Sequence, residues 1–263
     1  MVDADNAQKS SPGGFVTPEP LAPLLNGLKR AFDSSDHTDF TIICQGRQWK
    51  AHKVVLCAQS EWFKKSCAEC WKEGQEGAIT FTEDEPDVIE AMLHWFYEFD
   101  YGTSQDIKWP LVLDVKVYAV AGKYLLPNLQ RLAAAKFEQR AEKEWQSEDF
   151  AEAITEVYDG PLESSILRAT IAQIVTKHRM ELFYPGEGSK RFISMAGKFP
   201  KFGRDMLVMW CLFEHGDEWA KYNCPKCGAC WAIEKKSRGT VLGCPKGCHS
   251  NRESTWWDRF EQA

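Results

Sequence analysis

At 263 residues, with 44% hydrophobic and 27% charged content, the chain has the balance of a globular protein with one or two cores. That balance excludes a fibre or a wholly disordered chain. A formal net charge of -6 speaks against a protein devoted mainly to nucleic acid or to an anionic membrane surface, since both select basic faces. No run of eighteen apolar residues occurs, and MVDADNAQKSSPGGFVTPEP lacks a basic flank followed by an apolar core, so neither a membrane span nor a secretory signal is expected. The expected location is cytosol or nucleus. In that setting the ten cysteines read as reduced thiols plus one metal site rather than as a disulfide framework.

Residues 1–20, rich in serine, proline and glycine, show no apolar period and are expected to form a disordered arm. Leu21, Leu24, Leu25, Leu28 and Phe32 then recur at helical spacing, and the turn-rich Asp33-Ser34-Ser35-Asp36 should stop that helix. Two β-prone runs, Asp39 to Cys44 and Gln48 to His52, flank a polar Gln45-Gly46-Arg47 and predict a hairpin. Lys53-Val54-Val55-Leu56 leads to Ser60, a candidate N-cap for a helix running to Trp71, with Gly74 and Gly77 as breakers. Ala78 to Phe81 predicts a short strand. The acidic Glu83-Asp84-Glu85-Pro86-Asp87 opens a helix bearing Val88, Ile89, Met92, Leu93, Phe96 and Tyr97, its carboxylates read as a solvated N-terminus. Helices over Leu111–Leu125 and Pro127–Lys143 complete an α+β domain over residues 21–143.

The strings Asp39-Phe40-Thr41-Ile42-Ile43, Trp49 to Phe63 through Ala51-His52-Lys53, Ile79 to Tyr97, and Val117 to Leu129 resemble the BTB/POZ family, more specifically its filamentous-fungal branch. The resemblance implies a small sheet flanked by helices, no catalytic apparatus, self-association as a homodimer, and docking of partners. The family's self-association surface would include Leu24, Leu25 and Leu28 on the first helix and Asp39 near its base. The same leucines could equally be the domain's own core stripe. Cullin-binding members are similar to this chain at Trp71-Lys72-Glu73, a hydrophobic residue, any residue, then an acid. By that likeness Trp71 would enter a groove on a cullin scaffold and Glu73 would add a polar rim contact.

Residues 147–216 carry two amphipathic stripes, Phe150, Ile154, Val157, Tyr158 and Ile166 to Leu182. A loop at Gly186-Glu187-Gly188-Ser189 and a strongly apolar helix over Met206 to Phe213 follow, so a helical region is expected.

The tail, residues 219–257, carries the metal signal. Cys224 and Cys227 are two residues apart, Cys244 and Cys248 three, with sixteen residues between the pairs, close to the four-cysteine zinc pattern. In Cys224-Pro225-Lys226-Cys227-Gly228 the proline fixes a turn and the glycine permits the positive φ that aims two sulfurs at one ion. Cys230-Trp231-Ala232-Ile233 and Thr240-Val241-Leu242 predict a hairpin between the knuckles, a zinc-ribbon-like β module holding one structural Zn²⁺. The fourth ligand is Cys248, with His249 and Cys230 as alternatives. Lys235, Lys236 and Arg238 at the tip invite contact with nucleic acid or a partner, but eight Lys/Arg stand against four Asp/Glu from Trp219 onward. Four thiolates and Zn²⁺ leave that net near about +2, little for a DNA grip. A metal-stapled module is the expectation.

Cys67-Ala68-Glu69-Cys70 has the spacing of a redox pair but no βαβ context, and reads as two helical thiols. No nucleophile elbow, phosphate loop or dinucleotide fingerprint occurs. The expected function is a non-enzymatic scaffold that self-associates and brings an unknown target protein to a cullin-based ubiquitin ligase. The rival reading is a chromatin-associated protein whose ribbon touches nucleic acid.

Overall fold

A computed structural model describes residues 21–102, 108–160, 165–183, 189–214, 219–226, 230–234, 241–242, 252–253 and 261–262. The expected arm, the basic tip at Lys235, Lys236 and Arg238, and Cys227, Cys244, Cys248 and His249 lie outside the described residues. The chain forms two compact units, one ending at Glu156 and one beginning at Val157.

The first unit opens with α1 (Ala22–Ser34), closed by Ser35 at φ 59°. Strand β1 (Phe40–Cys44) buries Phe40, Ile42 and Cys44 and turns the intervening residues outward, the period-two alternation of a strand. It pairs antiparallel with β2 (Arg47–Ala51), Phe40 opposite Ala51 and Cys44 opposite Arg47. The link is Gln45 and Gly46, both at positive φ (47° and 87°), the two-residue turn whose twist matches paired strands. Three short helices follow: α2 (Lys53–Gln59), α3 (Glu61–Ser66) and α4 (Lys72–Glu76). They carry the chain to β3 (Ala78–Phe81), parallel to β1, giving the order β2-β1-β3. A parallel return needs such a crossover, because no tight turn can make it.

Next come α5 (Pro86–Glu98), α6 (Pro110–Lys123) and α7 (Pro127–Glu144), each with proline in its first turn, where no N–H is missed. All six apolar positions expected on α5 are buried. The unit ends within α8 (Glu148–Asp159).

The structure corrects the expected helix to Trp71. Helix α3 stops at Ser66, and residues 67–71 form a turn before α4. Nothing in Cys67-Ala68-Glu69-Cys70-Trp71 is a breaker; tertiary packing imposes the stop by burying Cys67 and bringing α4 back onto Ala68. Cys67 and Cys70 are therefore turn residues. Gly74 lies inside α4, while Gly77, at φ 63°, is the true terminator. Helix α2, which the sequence analysis leaves unassigned, starts at Lys53, whose N–H donates to Asp39 Oδ1 at 2.7 Å.

Buried charge is concentrated between α6 and α7. Asp114 is fully buried (0% exposed), accepts the Tyr101 hydroxyl at 2.8 Å and faces Arg140 at 3.6 Å. Lys136 donates to the Tyr101 carbonyl at 2.5 Å and pairs with Asp100. Asp149, from the first turn of α8, accepts the N–H groups of Leu111 (2.7 Å) and Val112 (3.1 Å) and so caps α6.

In the second unit, α9 (Ser165–Lys177), α10 (Arg179–Phe183), α11 (Ser189–Lys198) and α12 (Pro200–Glu214) bury Ile171, Ile174, Val175, Phe192 and Phe202. Ser189, expected in a loop, begins α11. Tyr158 donates to Asp205 Oδ2 at 3.0 Å.

The tail forms β4 (Trp219–Asn223), β5 (Cys230–Glu234), β6 (Val241–Leu242), β7 (Arg252–Glu253) and β8 (Glu261–Gln262). The expected hairpin of 230–233 with 240–242 is not formed among the described residues. Strand β5 pairs with β4, Asn223 opposite Cys230, and β6 pairs with β7, Leu242 opposite Arg252. The cause is local: five residues of β4 pair with β5, only six residues further along the chain, whereas the 230–242 pairing would have only two residues in β6.

Burial pushes the Asp114 carboxyl up to about 7, against the opposing pull of Arg140 and Tyr101. Its proton is thus bound more tightly in the folded than in the unfolded chain. This contribution to stability is full below the usual carboxylate range and is lost as pH rises from about 4 to about 7. Asp114→Asn should flatten the pH dependence of the denaturation midpoint in that window, with its advantage over the wild type growing toward pH 7.

Candidate protein-interaction surface

Trp71 is the N-cap residue of α4 and is 59% exposed, an unusual state for a large aromatic side chain. Its backbone explains how it is presented. The Trp71 N–H donates to the Ala68 carbonyl at 3.0 Å, and its own carbonyl accepts from Gln75 at 3.1 Å, so the residue is anchored on both sides while the indole points outward. Gly74 sets the geometry: a Cβ there would lie 2.1 Å from the Ala68 oxygen and 2.8 Å from the Cys67 oxygen. Only glycine lets α4 press so closely on the turn. The Gly74 carbonyl also accepts from Lys53 Nζ at 3.4 Å, tying the edge to α2.

Glu73, two residues beyond Trp71 and half-buried, lines a groove of about 330 Å³. Its aromatic side is Trp62, Phe81 and Tyr124, with the Trp62 and Tyr124 rings 4.6 Å apart and the Phe81 and Tyr124 rings 5.1 Å apart. Its polar side is Glu83, Asp84 and Lys123. Lys123 Nζ donates to both Asp84 oxygens at 3.1 Å and to Glu83 at 3.3 Å, while the Tyr124 hydroxyl donates to Asp84 at 2.5 Å. Burial lowers the Lys123 pKa, but the bonds to Asp84 and Glu83 outweigh it and keep the ammonium charged. Burial, reinforced by Asp84, pushes Tyr124 upward, so its hydroxyl remains a donor.

This arrangement corrects the reading of Glu83-Asp84-Glu85 as a solvated N-terminus. Asp84 is buried and paired, and only Glu83 and Glu85 face water. The aromatic wall and its Lys123 clamp are absent from the sequence-based expectations. The available signal was an acidic cluster immediately after a strand, opposite a lysine and tyrosine ending a helix, but nothing in spacing says that these two ends meet.

The other expected site residues separate clearly. No residue of α1 is buried: Leu24 is 60% exposed, and Leu25 and Leu28 are half-buried. The helix is held at its C-terminal half, where Phe32 stacks on Tyr97 at 4.4 Å and Lys29 pairs with Glu98 at 2.6 Å. Asp39 caps α2, as described above. Burial pushes the Cys67 thiol up to about 12, so it is no ready thiolate. Cys224 lies just past β4 and is 2% exposed. Among the described residues no group of three or more His, Cys, Asp or Glu is gathered to hold a metal, and no helix is long and apolar enough to cross a membrane.

Residues 28–141 match the family model of the BTB/POZ domain. Kelch-like protein 40 of Xenopus tropicalis is 29% identical over 107 residues, 40% of this chain and 16% of that protein. BTB/POZ and MATH domain-containing protein 4 of Arabidopsis thaliana is 28% identical over 120 residues, 42% of this chain and 26% of that protein. These alignments span at most about a quarter of the relatives' length. The solved BTB domain of zebrafish PATZ1 covers 48% of this chain and 97% of its own, at 17% identity and a TM-score of 0.38.

Two glycine substitutions test the packing argument. Gly74→Ala should cost about 1–3 kcal/mol, measured by urea denaturation, because the backbone of residues 67–68 must shift. Gly27→Ala in α1, where an added Cβ meets nothing within 4 Å, should instead stabilise by about 0.5–1 kcal/mol.

Proposed function

We propose, from the premise that residues 28–141 form a BTB/POZ domain, that the chain is a non-enzymatic adaptor that docks a cullin scaffold and presents a target protein to a ubiquitin ligase. The observation that carries this reading is Trp71: a large aromatic side chain, 59% exposed, on a rigid turn with Glu73 beside it. An exposed anchor of that kind gains most of its binding energy by leaving water, and a neighbouring acid supplies the rim contact. The likeness of Trp71-Lys72-Glu73 to the cullin-binding members supports a cullin as the partner.

Self-association is the second part of the proposal. The exposed Leu24 and half-buried Leu25 and Leu28 form an apolar stripe on α1, which a second copy of the domain would cover. Asp39, spent on capping α2, would support that surface through the fold.

A structural Zn²⁺ is the third part. Cys224, Cys227, Cys244 and Cys248 would hold it, supplying the thiolate set that suits tetrahedral zinc. In support, each cysteine pair falls in a segment joining two paired strands, 224–229 between β4 and β5 and 243–251 between β6 and β7. Cys224 is already withdrawn from water. Lys235, Lys236 and Arg238 would then lie between the two hairpins in sequence, free to meet a protein target.

A pull-down with the tagged full-length chain tests the cullin reading. Trp71→Ala should weaken cullin capture about thirtyfold, the loss expected of an interface anchor worth about 2 kcal/mol, and Glu73→Ala less. Unchanged capture would sink it. In sedimentation, Leu24→Glu with Leu28→Glu should halve the mass of the chain. Elemental analysis should find one zinc per chain, lost in Cys248→Ser and kept in His249→Ala.

A further inference from the structure

Four helices of the second unit leave an apolar groove of about 480 Å³ open between them. Met180 and Phe183 of α10 form one wall, and Gly203, Met206, Leu207 and Trp210 of α12 form the other at i, i+3, i+4 and i+7. Arg179 is the one charged side chain among the lining residues. Met180 (62%), Leu207 (63%) and Trp210 (47%) are exposed along its edges.

We propose that this groove is the docking site for an acidic amphipathic helix of a partner protein. The inference deepens the adaptor reading by naming the class of target segment, and it rests on that reading only for its biological use.

Charge complementarity selects the occupant. Residues 165–214 hold eight Lys/Arg against four Asp/Glu, a net positive unit within a chain of net charge -6. The excess lies on α9, with Arg168 and Lys177, and on α11, with Lys190, Arg191 and Lys198, neither of which carries an acid; Arg179 on α10 is balanced by Glu181, and Lys201 and Arg204 on α12 by Asp205 and Glu214. An apolar channel lined in part by two net-positive helices, α9 and α11, with Arg179 as its one charged lining residue, favours a ligand with an apolar stripe and an acidic remainder, and disfavours a basic one. The open shape argues for a helix over a small molecule. Small-molecule sites enclose most of their ligand, whereas here Met180, Leu207 and Trp210 along the edges stand about half in water. Apolar side chains at i, i+3, i+4 and i+7 on α12 are the mirror of the anchors that a helix laid into a groove presents. Two methionines in the walls allow repacking around different anchors, so recognition reads pattern and charge rather than one sequence.

The test uses the full chain and a fluorescent helix of about fifteen residues with leucine at i, i+3, i+4 and i+7 and glutamate elsewhere, followed by anisotropy. Saturable binding in the range of about 1–100 µM is expected, weakening as salt is raised. Leu207→Asp and Met180→Glu, both at exposed positions and so compatible with folding, should each weaken it about tenfold or more. The same helix with lysine for glutamate should bind at least about tenfold more weakly. Trp71→Ala should bind the helix normally while losing cullin capture, so failure of the adaptor reading and failure of the groove are distinguished.

The proposal is overturned if the glutamate helix does not saturate, if the lysine helix binds equally, or if both groove variants bind unchanged. It is also overturned in favour of a second copy if Leu207→Asp lowers the sedimenting mass, and in favour of a lipid surface if phosphatidylserine vesicles, but not the helix, bind in a Leu207-dependent way.

Discussion

The hydroxyl of Tyr97 is the point from which the first unit is hung. It accepts the backbone N–H of His52 at 2.9 Å and lies 2.9 Å from His52 Nδ1. The other ring nitrogen, Nε2, lies 2.7 Å from the Asp36 carbonyl, which can only accept. Nε2 therefore carries the proton, Nδ1 is the acceptor, and the phenol donates to it. Burial pushes the Tyr97 hydroxyl up to about 12, so that proton stays in place. Through one atom the last turn of α5 fixes the junction of β2 and α2, and through His52 it also holds the loop after α1. The stack of Phe32 on the same ring completes the attachment. Helices α2 to α4 are suspended from that junction, and the exposed Trp71 edge is suspended from them.

From that node outward, several polar side chains are spent on backbone ends. Asp39 satisfies the start of α2, Ser60 that of α3, accepting the Phe63 N–H at 3.2 Å, and Asp149 that of α6. Each orphan donor met in this way removes a cost of about 1 kcal/mol, and Asp39 and Asp149 also tie an element to a distant stretch of chain. The exposed apolar side chains stand apart from this network. Trp71, Leu24 and, in the second unit, Leu207 and Met180 satisfy no core, which separates what builds each unit from what it offers to others.

Much of this was legible in the residues. The alternation Phe40-Ile42-Cys44, the turn at Gln45-Gly46 and the six apolar positions of α5 carry periodicities that only one local structure satisfies, and the structure has them. The resemblance to the BTB/POZ family rested on those stretches, and the family match extends over residues 28–141. What could not be read was set at long range. The stop after Ser66 depends on Gly74 meeting Ala68; the burial of Asp84 depends on Lys123 and Tyr124 arriving from the far end of α6. The β5–β6 error has the same origin: two β-prone runs around a polar link look like a hairpin, but Trp219 to Asn223 competes for β5 and has the longer register. The groove of the second unit was hidden because Met206, Leu207 and Trp210 look like core residues at helical spacing, and only exposure tells a core stripe from an open one.

The corner after α6 bears on how the aromatic groove would respond to load. Tyr124 closes α6, Leu125 sits at φ 57°, and Pro127 starts α7 after Leu126. A left-handed residue and a proline within four positions forbid the two helices from merging or sliding past one another by a turn, since neither residue can enter a continuous ladder. The wall carrying Tyr124 therefore cannot give way by winding one helix at the expense of the other. A partner pressing into that groove would itself have to supply the adjustment of shape, whereas the two methionines of the second unit's channel would leave room for repacking there.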